Sequence, residues 1–439
     1  MQLDILGGGP AGLALAYHAQ KKGLAFRLYE ARDKLGGNCI TFTSNGFRFD
    51  SGAHRLHDKI PSVTQTFRDI LGKDMHKVEA PSQIVWEGKF IDFPLTPFDL
   101  VKKLGVSRLS RAAFDFLKAR IKRTTPKNHF EYFARKTYGD FLAENFLLNY
   151  SSKLWGLPTN QLSPSISGKR LKGLNLKTFL VEALFGKLIK TQHIDGSFYY
   201  PKYGIGQLFD KLQTRLNPQA IHLNTRITRI FHKDNRITEI EYNGTHRQAV
   251  NHLVSTLPLG LMLQLLSPSP SPALFTLAKQ LVFRNIVLVA IFLSVPSISP
   301  NASLYFPNKN YPFTRIVEAR NRSPFMAPEG HSSLIVEVPC QFEDAQWKAS
   351  PKEIGQQIIG HLADIGLIQP SDVVGMRHIK MPFAYPILAA GYEKIREDIL
   401  HYLTRFNNLK MAGRNAEFQY THIHDMFFMG ENVIQQYIS

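Results

Sequence analysis

What most constrains this chain is a strand that runs straight into glycines. Leu3-Asp4-Ile5-Leu6 is apolar enough for a buried strand, and Gly7-Gly8-Gly9-Pro10-Ala11-Gly12 follows it without a break. A helical run over 13–22 comes next, then a second strand, Phe26-Arg27-Leu28-Tyr29, that ends in Glu30 and Ala31. In this register Gly7 allows the tight turn, Gly9 lets the backbone approach a pyrophosphate, and Gly12 lets the helix pack closely on the strand. The N–H groups at the helix start, from Ala11 onward since Pro10 has none, then face a diphosphate. Glu30 falls where a carboxylate accepts hydrogen bonds from ribose hydroxyls. A dinucleotide-binding βαβ unit is the expectation.

A second glycine pair, Leu35-Gly36-Gly37-Asn38, follows closely. A nicotinamide dinucleotide does not need it, whereas a flavin dinucleotide runs on past the pyrophosphate and needs more bare backbone. Phe49-Asp50-Ser51-Gly52-Ala53-His54-Arg55-Leu56-His57 adds another small-residue loop with two imidazoles. With these residues the chain resembles the FAD superfamily of amine oxidases, protoporphyrinogen oxidase and UDP-galactopyranose mutase. The resemblance implies non-covalent FAD as cofactor, with Gly36, Gly37 and Asn38 along its diphosphate. It places Gly52, Ala53 and His54 against the flavin.

The 439 residues, 44% of them apolar, suffice for two or three domains. The expected fold class is α/β (α+β overall): a Rossmann-like FAD-binding domain, a mainly antiparallel-sheet substrate domain and a helical insertion. The FAD domain is read as discontinuous, over 1–96, 191–266 and 396–439. The helical insertion takes 97–190 and the substrate domain 273–395. An apolar run over 286–293 is too short to span a bilayer and reads as a buried strand. The proline-rich 267–272 is the clearest linker, since proline fixes φ and offers no N–H. Cys39 and Cys340 suit buried thiols in a reducing cytoplasm, and no Cys/His spacing suggests a metal. A strand at residue 3 argues against a signal peptide, so a cytoplasmic location is expected.

The formal charge is +18, and nine Lys/Arg residues stand against the single acid Asp115 between Lys102 and Lys127. Leu109, Ala112, Ala113, Phe116, Leu117 and Ala119 recur there at helical spacing, so 107–123 reads as a basic amphipathic helix. Two uses stay open: a solvated face packed on the domain, or peripheral contact with an anionic membrane on its inner face. No motif supports nucleic-acid binding.

Further motifs extend the resemblance. Tyr150-Ser151-Ser152-Lys153-Leu154-Trp155-Gly156 matches a cleft segment of the mutases, implying that Trp155 stacks on a substrate ring and Arg170 faces its charge. A core anchor is the other use of Trp155. Tyr200-Pro201-Lys202-Tyr203-Gly204-Ile205-Gly206 matches a loop over the flavin, and Ile227 the backbone position that meets adenine. Arg284, ahead of the apolar strand, resembles a mutase arginine that grips the substrate diphosphate. Burial there demands a partner, either a bound anion or a structural carboxylate. Gly413 and Arg414 match the closing turn of the cofactor site, and His422 and Ile423 begin a helix whose N-terminus favours negative charge on the flavin. Where mutases have two tyrosines and an aspartate, this chain has Phe418, Thr421 and His422. Where the oxidase-like relatives read Tyr-Pro-x-Tyr-Asp, it reads Tyr385-Pro386-Ile387-Leu388-Ala389.

Two enzymatic readings follow. One is an FAD-dependent oxidoreductase that takes a hydride or two electrons from an anionic small-molecule substrate, with His54, Trp155, Arg170 and Arg284 in the cleft. The other is a flavin-dependent, non-redox nucleotide-sugar mutase. A flavin-bound scaffold without turnover is a third.

Overall fold

The computed structural model describes residues 2–93, 97–121, 125, 127–167 and 197–437. Arg170 therefore lies outside the described residues, as do Lys122 and Arg123.

The strand Gln2–Leu6 sits at the centre of a five-stranded parallel sheet in the order Leu409–Met411, His252–Ser255, Gln2–Leu6, Ala25–Tyr29, Ile221–His222. Strands from the start, middle and end of the chain thus share one sheet. Asp4, fully buried, pairs with Arg27 at 2.7 Å and accepts from the Tyr29 hydroxyl at 3.1 Å. The helix Pro10–Lys21 begins with proline at its first turn, where no intrahelical N–H bond is lost. It packs against the last helix, Ile423–Gln435, so closely that a Cβ on Gly430 would lie 2.9 Å from the Ala14 Cβ.

Beside this sheet lies a four-stranded one, in the order His246–Ala249, Arg236–Tyr242, Ile227–Lys233, Leu266–Ser267. Its hairpin turns at Asp234 and Asn235, both with positive φ (49° and 56°), which matches the right-handed twist of the strands. Two neighbouring short strands part here: Ile221–His222 joins the parallel sheet, and Ile227–Lys233 forms the hairpin.

The third sheet has seven strands, in the order Val373–Pro386, Phe283–Leu293, Ser332–Cys340, Arg315–Glu318, Ser303–Tyr305, Ser82–Trp86, Lys89–Phe93. All its pairings are antiparallel except that of Ser303–Tyr305 with Ser82–Trp86. Nearly every residue of Phe283–Leu293 is buried, because a neighbouring strand flanks each edge and apolar side chains cover both faces. The helix Pro351–Asp364, opened by a Ser350/Glu353 capping box, covers one face. One allotment differs from the sequence reading. The hairpin Ser82–Trp86/Lys89–Phe93, assigned to the cofactor domain, is hydrogen-bonded into the substrate sheet. The linker also ends differently: Pro272 opens the helix Pro272–Ala278.

The helical insertion contains Pro97–Leu104, Val106–Ile121, Phe130–Leu142 and Asn149–Trp155. Gly105, at φ 79°, separates the first two, so the basic helix starts at Val106. Both cysteines are buried free thiols.

Candidate functional site

The two glycine pairs meet. The Gly36 N–H donates to the Gly8 carbonyl at 2.8 Å, and a Cβ on Gly37 would lie 3.0 Å from the Gly9 Cα. Gly37 also has φ +57°. A Cβ on Gly12 would fall 1.9 Å from the Gly7 carbonyl oxygen, which is why only glycine lets the helix start seat on this turn. Pro10 has no N–H, and the Ala11 and Gly12 N–H groups in the first turn of Pro10–Lys21 have no intrahelical acceptor, with no side-chain cap on Gly9. Side chains are thus excluded where an extended diphosphate needs room.

Glu30 is held ready beside it. Its two carboxylate oxygens accept from the Gly8 N–H at 2.8 Å and the Arg32 N–H at 2.9 Å. The Thr225 N–H donates to the Glu30 carbonyl at 2.8 Å, which brings the start of Ile227–Lys233, and so Ile227, to the Glu30 end of the parallel sheet. From the far end of the chain, Gly413 (φ +105°) approaches Ala11 so that an added Cβ would sit 2.8 Å from the Ala11 Cβ. The Arg414 guanidinium is turned back to the Thr421 carbonyl and lies over the Tyr420 ring at 5.0 Å, closing the final turn. His422 caps the helix Ile423–Gln435 in a reciprocal box with Asp425. The start of that helix is packed with His57 and His424, at ring separations of 5.5 Å.

The loop carrying Gly52, Ala53 and His54 is fixed from the substrate sheet. Glu337 accepts from the Ala53 N–H at 3.1 Å, and Arg322 donates to the His54 carbonyl at 2.9 Å. Glu337 is itself gripped by Arg315 through contacts of 2.9, 2.8 and 2.6 Å. Burial alone works against the Arg315 charge; Glu337 and nearby tyrosines raise its pKa well above the usual value. Burial lowers that of Arg322. Beneath the loop, Asp50 accepts from Thr41 and Tyr200, yet burial still raises its carboxyl pKa. Arg315, Glu337 and Arg322 were missed in the sequence. A lone glutamate inside the apolar strand Ser332–Cys340 was the one signal available.

His54 is a held ring. Its Nε2 lies 3.2 Å from the Asn38 carbonyl, so that nitrogen carries the proton, and Nδ1 lies 3.8 Å from the Cys39 sulfur. Burial, then the charges of Arg414 and Arg322, push its pKa down to about 3. Burial likewise pushes the Cys39 thiol up to about 12, leaving it inert.

Trp155 is 4% exposed and belongs to an aromatic cluster. Its ring centroid lies 6.2 Å from that of Tyr385 and 5.9 Å from that of Tyr420. Burial and Glu337 raise the Tyr385 pKa well above its ordinary value, so this phenol stays neutral. Lys153, on the same short helix as Trp155, donates to the carbonyls of Phe306, Asn308 and Tyr311 and ties the insertion to the substrate sheet.

Arg284 answers to a structural partner. Its guanidinium donates to the carbonyls of Leu154 (3.3 Å), Lys153 (3.4 Å) and Pro339 (3.1 Å), with Asp344 at 3.6 Å. It caps the C-terminus of Asn149–Trp155, where carbonyls lack intrahelical donors. Gly156 (φ +75°) lies against it: a Cβ there would be 2.6 Å from Nη1. In the structure its partners are these carbonyls and Asp344, the structural carboxylate that the sequence offered beside a bound anion.

A glycine-lined diphosphate cradle closed by both ends of the chain, with a separate, mainly antiparallel sheet, defines a flavin-dinucleotide-binding fold. The chain belongs to the flavin containing amine oxidoreductase family, which matches residues 10–428. Its cofactor is FAD. Among curated relatives, it is 26% identical over 231 residues to protoporphyrinogen oxidase 1 of Arabidopsis thaliana, covering 51% of this chain and 39% of that protein. It is 25% identical over 181 residues to the UDP-galactopyranose mutase of Mycoplasma pneumoniae, covering 38% and 43%. The matches thus span less than half of these relatives. Reduced UDP-galactopyranose mutase shares the fold, with a TM-score of 0.87, 20% identity and coverage of 100% of this chain and 93% of that one. Putrescine oxidase bound to putrescine does so at 0.65, with 16% identity and coverage of 100% and 99%.

Proposed function

We propose that this protein is an FAD-dependent oxidoreductase that takes a hydride or two electrons from an anionic small molecule held in the cleft beside Trp155, Tyr385 and Tyr420. Bound FAD supplies the redox chemistry. The chain's own contribution is to seat the dinucleotide on its glycine loops, pin the Gly52-Ala53-His54 loop through Glu337 and Arg322, and exclude water with aromatic rings.

One observation carries this reading: three described arginines near these rings are already engaged within the protein. Arg284 caps a helix, Arg315 pairs with Glu337, and Arg414 binds the Thr421 carbonyl. The dense charge of a nucleotide diphosphate would need several such groups free at one spot, more than a singly charged anion or one with spread charge does. With Phe418, Thr421 and His422 in the final turn, the chain also lacks the tyrosines and aspartate that the resemblance to mutases requires. The anionic character of the substrate rests on the +18 charge, whose field concentrates anions near the molecule.

The similarity to UDP-galactopyranose mutase favours a second reading, a non-redox nucleotide-sugar rearrangement. One experiment separates them. Oxidised holoprotein is mixed anaerobically with carboxylated tetrapyrroles and nucleotide sugars, and the visible flavin band is followed. Bleaching with a matching yield of oxidised product supports the oxidoreductase. Turnover that appears only after prior reduction and gives isomers establishes the mutase instead.

A further inference from the structure

We propose that the helix Val106–Ile121 docks the protein on an anionic lipid surface. The proposal stands on which residues this helix turns outward. Val106 is 80% exposed, Phe114 65%, Leu117 55% and Ile121 81%. Phe114, Leu117 and Ile121 follow the i, i+3, i+7 spacing of one helix face, and Val106 lies two turns earlier on the same face. The protein-facing side is a different set. Ala112 is buried, and Gly139 of the neighbouring helix packs so tightly that an added Cβ would meet the Phe116 backbone nitrogen at 2.6 Å. The helix therefore has two apolar faces and needs only one for the fold. A second, concentrated on one element, marks an interaction surface.

Charge selects the occupant. Lys118 and Arg120 are exposed, and helical spacing puts one on each side of the stripe. The single acid of the helix, Asp115, is turned inward, where it accepts from the Phe141 N–H at 3.2 Å. Arg108 is spent on Glu87 at 2.7 Å and does not count toward the surface. An apolar stripe with basic flanks and no outward acid is the pattern of a helix lying in a bilayer interface. A second copy of the chain would bring the same positive charges face to face. One stripe of four side chains also falls well short of the roughly 800 Å² per partner that a stable dimer uses.

The test uses FAD-loaded full-length protein and flotation with vesicles of phosphatidylcholine mixed with phosphatidylglycerol, or of phosphatidylcholine alone. The expected result is flotation with the mixed vesicles only, weakening as salt rises, because surface charges are screened over about 10 Å at 0.1 M. Lys118→Glu and Arg120→Glu should each weaken binding at least about fivefold. Phe114→Ser combined with Ile121→Ser should weaken it about tenfold or more. Since these side chains are exposed, flavin content and circular dichroism should not change. Leu117→Trp reports on the face itself: the added emission, read as the difference from the parent protein, should shift blue only when mixed vesicles are present. The proposal is overturned if wild-type protein fails to float at low salt or floats equally with both vesicles. It is also overturned if the emission added by Leu117→Trp is already blue without vesicles and they leave it unmoved. In that case another part of the chain or a second copy covers the stripe.

Discussion

Glu337→Gln tests the way the seven-stranded sheet holds the Gly52-Ala53-His54 loop. In the wild type its carboxylate, 2% exposed, forms three contacts of 2.6 to 2.9 Å with Arg315, 16% exposed, and accepts from the Ala53 N–H at 3.1 Å. Removing one charge strands the other in a desolvated site, which costs about 3–5 kcal/mol. The amide oxygen of glutamine can still serve Ala53, so the loss is expected at the low end, about 3 kcal/mol. Replacing both partners, as Arg315→Met with Glu337→Leu, removes the stranded charge. What remains is mainly the orphaned Ala53 N–H, about 1–3 kcal/mol. Urea unfolding followed by circular dichroism, with free FAD held constant because a ligand of the native state shifts the midpoint, measures the three proteins. The double variant should be more stable than Glu337→Gln, yet bind FAD more weakly than wild type. A Glu337→Gln protein within about 0.5 kcal/mol of wild type would refute the reasoning, because surface pairs behave that way and buried ones do not.

Other consequences follow from the same geometry. Gly37→Ala places a methyl 3.0 Å from the Gly9 Cα at φ +57°, so the purified protein should lose most of its FAD while keeping its circular dichroism spectrum. Arg284→Ala orphans carbonyls at the end of Asn149–Trp155 and should cost about 1–3 kcal/mol, read from the urea midpoint, while the protein still binds FAD. His54 has its pKa lowered from 6.5 to about 3, so the unfolded chain binds a proton that the native state refuses. Its share of stability is whole above pH 6.5 and is lost as pH falls toward about 3, at up to roughly 1.4 kcal/mol per pH unit. His54→Asn should flatten that part of the pH–stability curve.

Local signals carried far into this fold. Gly7, Gly9, Gly12, Gly36 and Gly37 were legible because their chemistry depends on the absence of a side chain, which sequence states outright. The helix at Ile423 and the strand Phe283–Leu293 were legible from a turn and from an apolar run. Pairings between distant segments were not. Nothing near residues 82–93 says that this hairpin extends a sheet whose other strands begin some two hundred residues later. Arg284 shows the same limit: a buried arginine announces a need for partners, but only tertiary contact reveals that carbonyls and Asp344 meet it. The stripe on Val106–Ile121 was obscured for a related reason. Periodicity locates apolar faces but does not say which one the fold consumes, and the inward face took Ala112 and the backbone at Phe116.

The most direct measurement is the flavin content of the purified chain and of its Gly37→Ala variant, after reconstitution with FAD and gel filtration. The account predicts one FAD per wild-type chain, released unmodified by denaturation, and little or none in the variant. A wild-type protein that stays colourless, or a variant that retains a full complement, would contradict it.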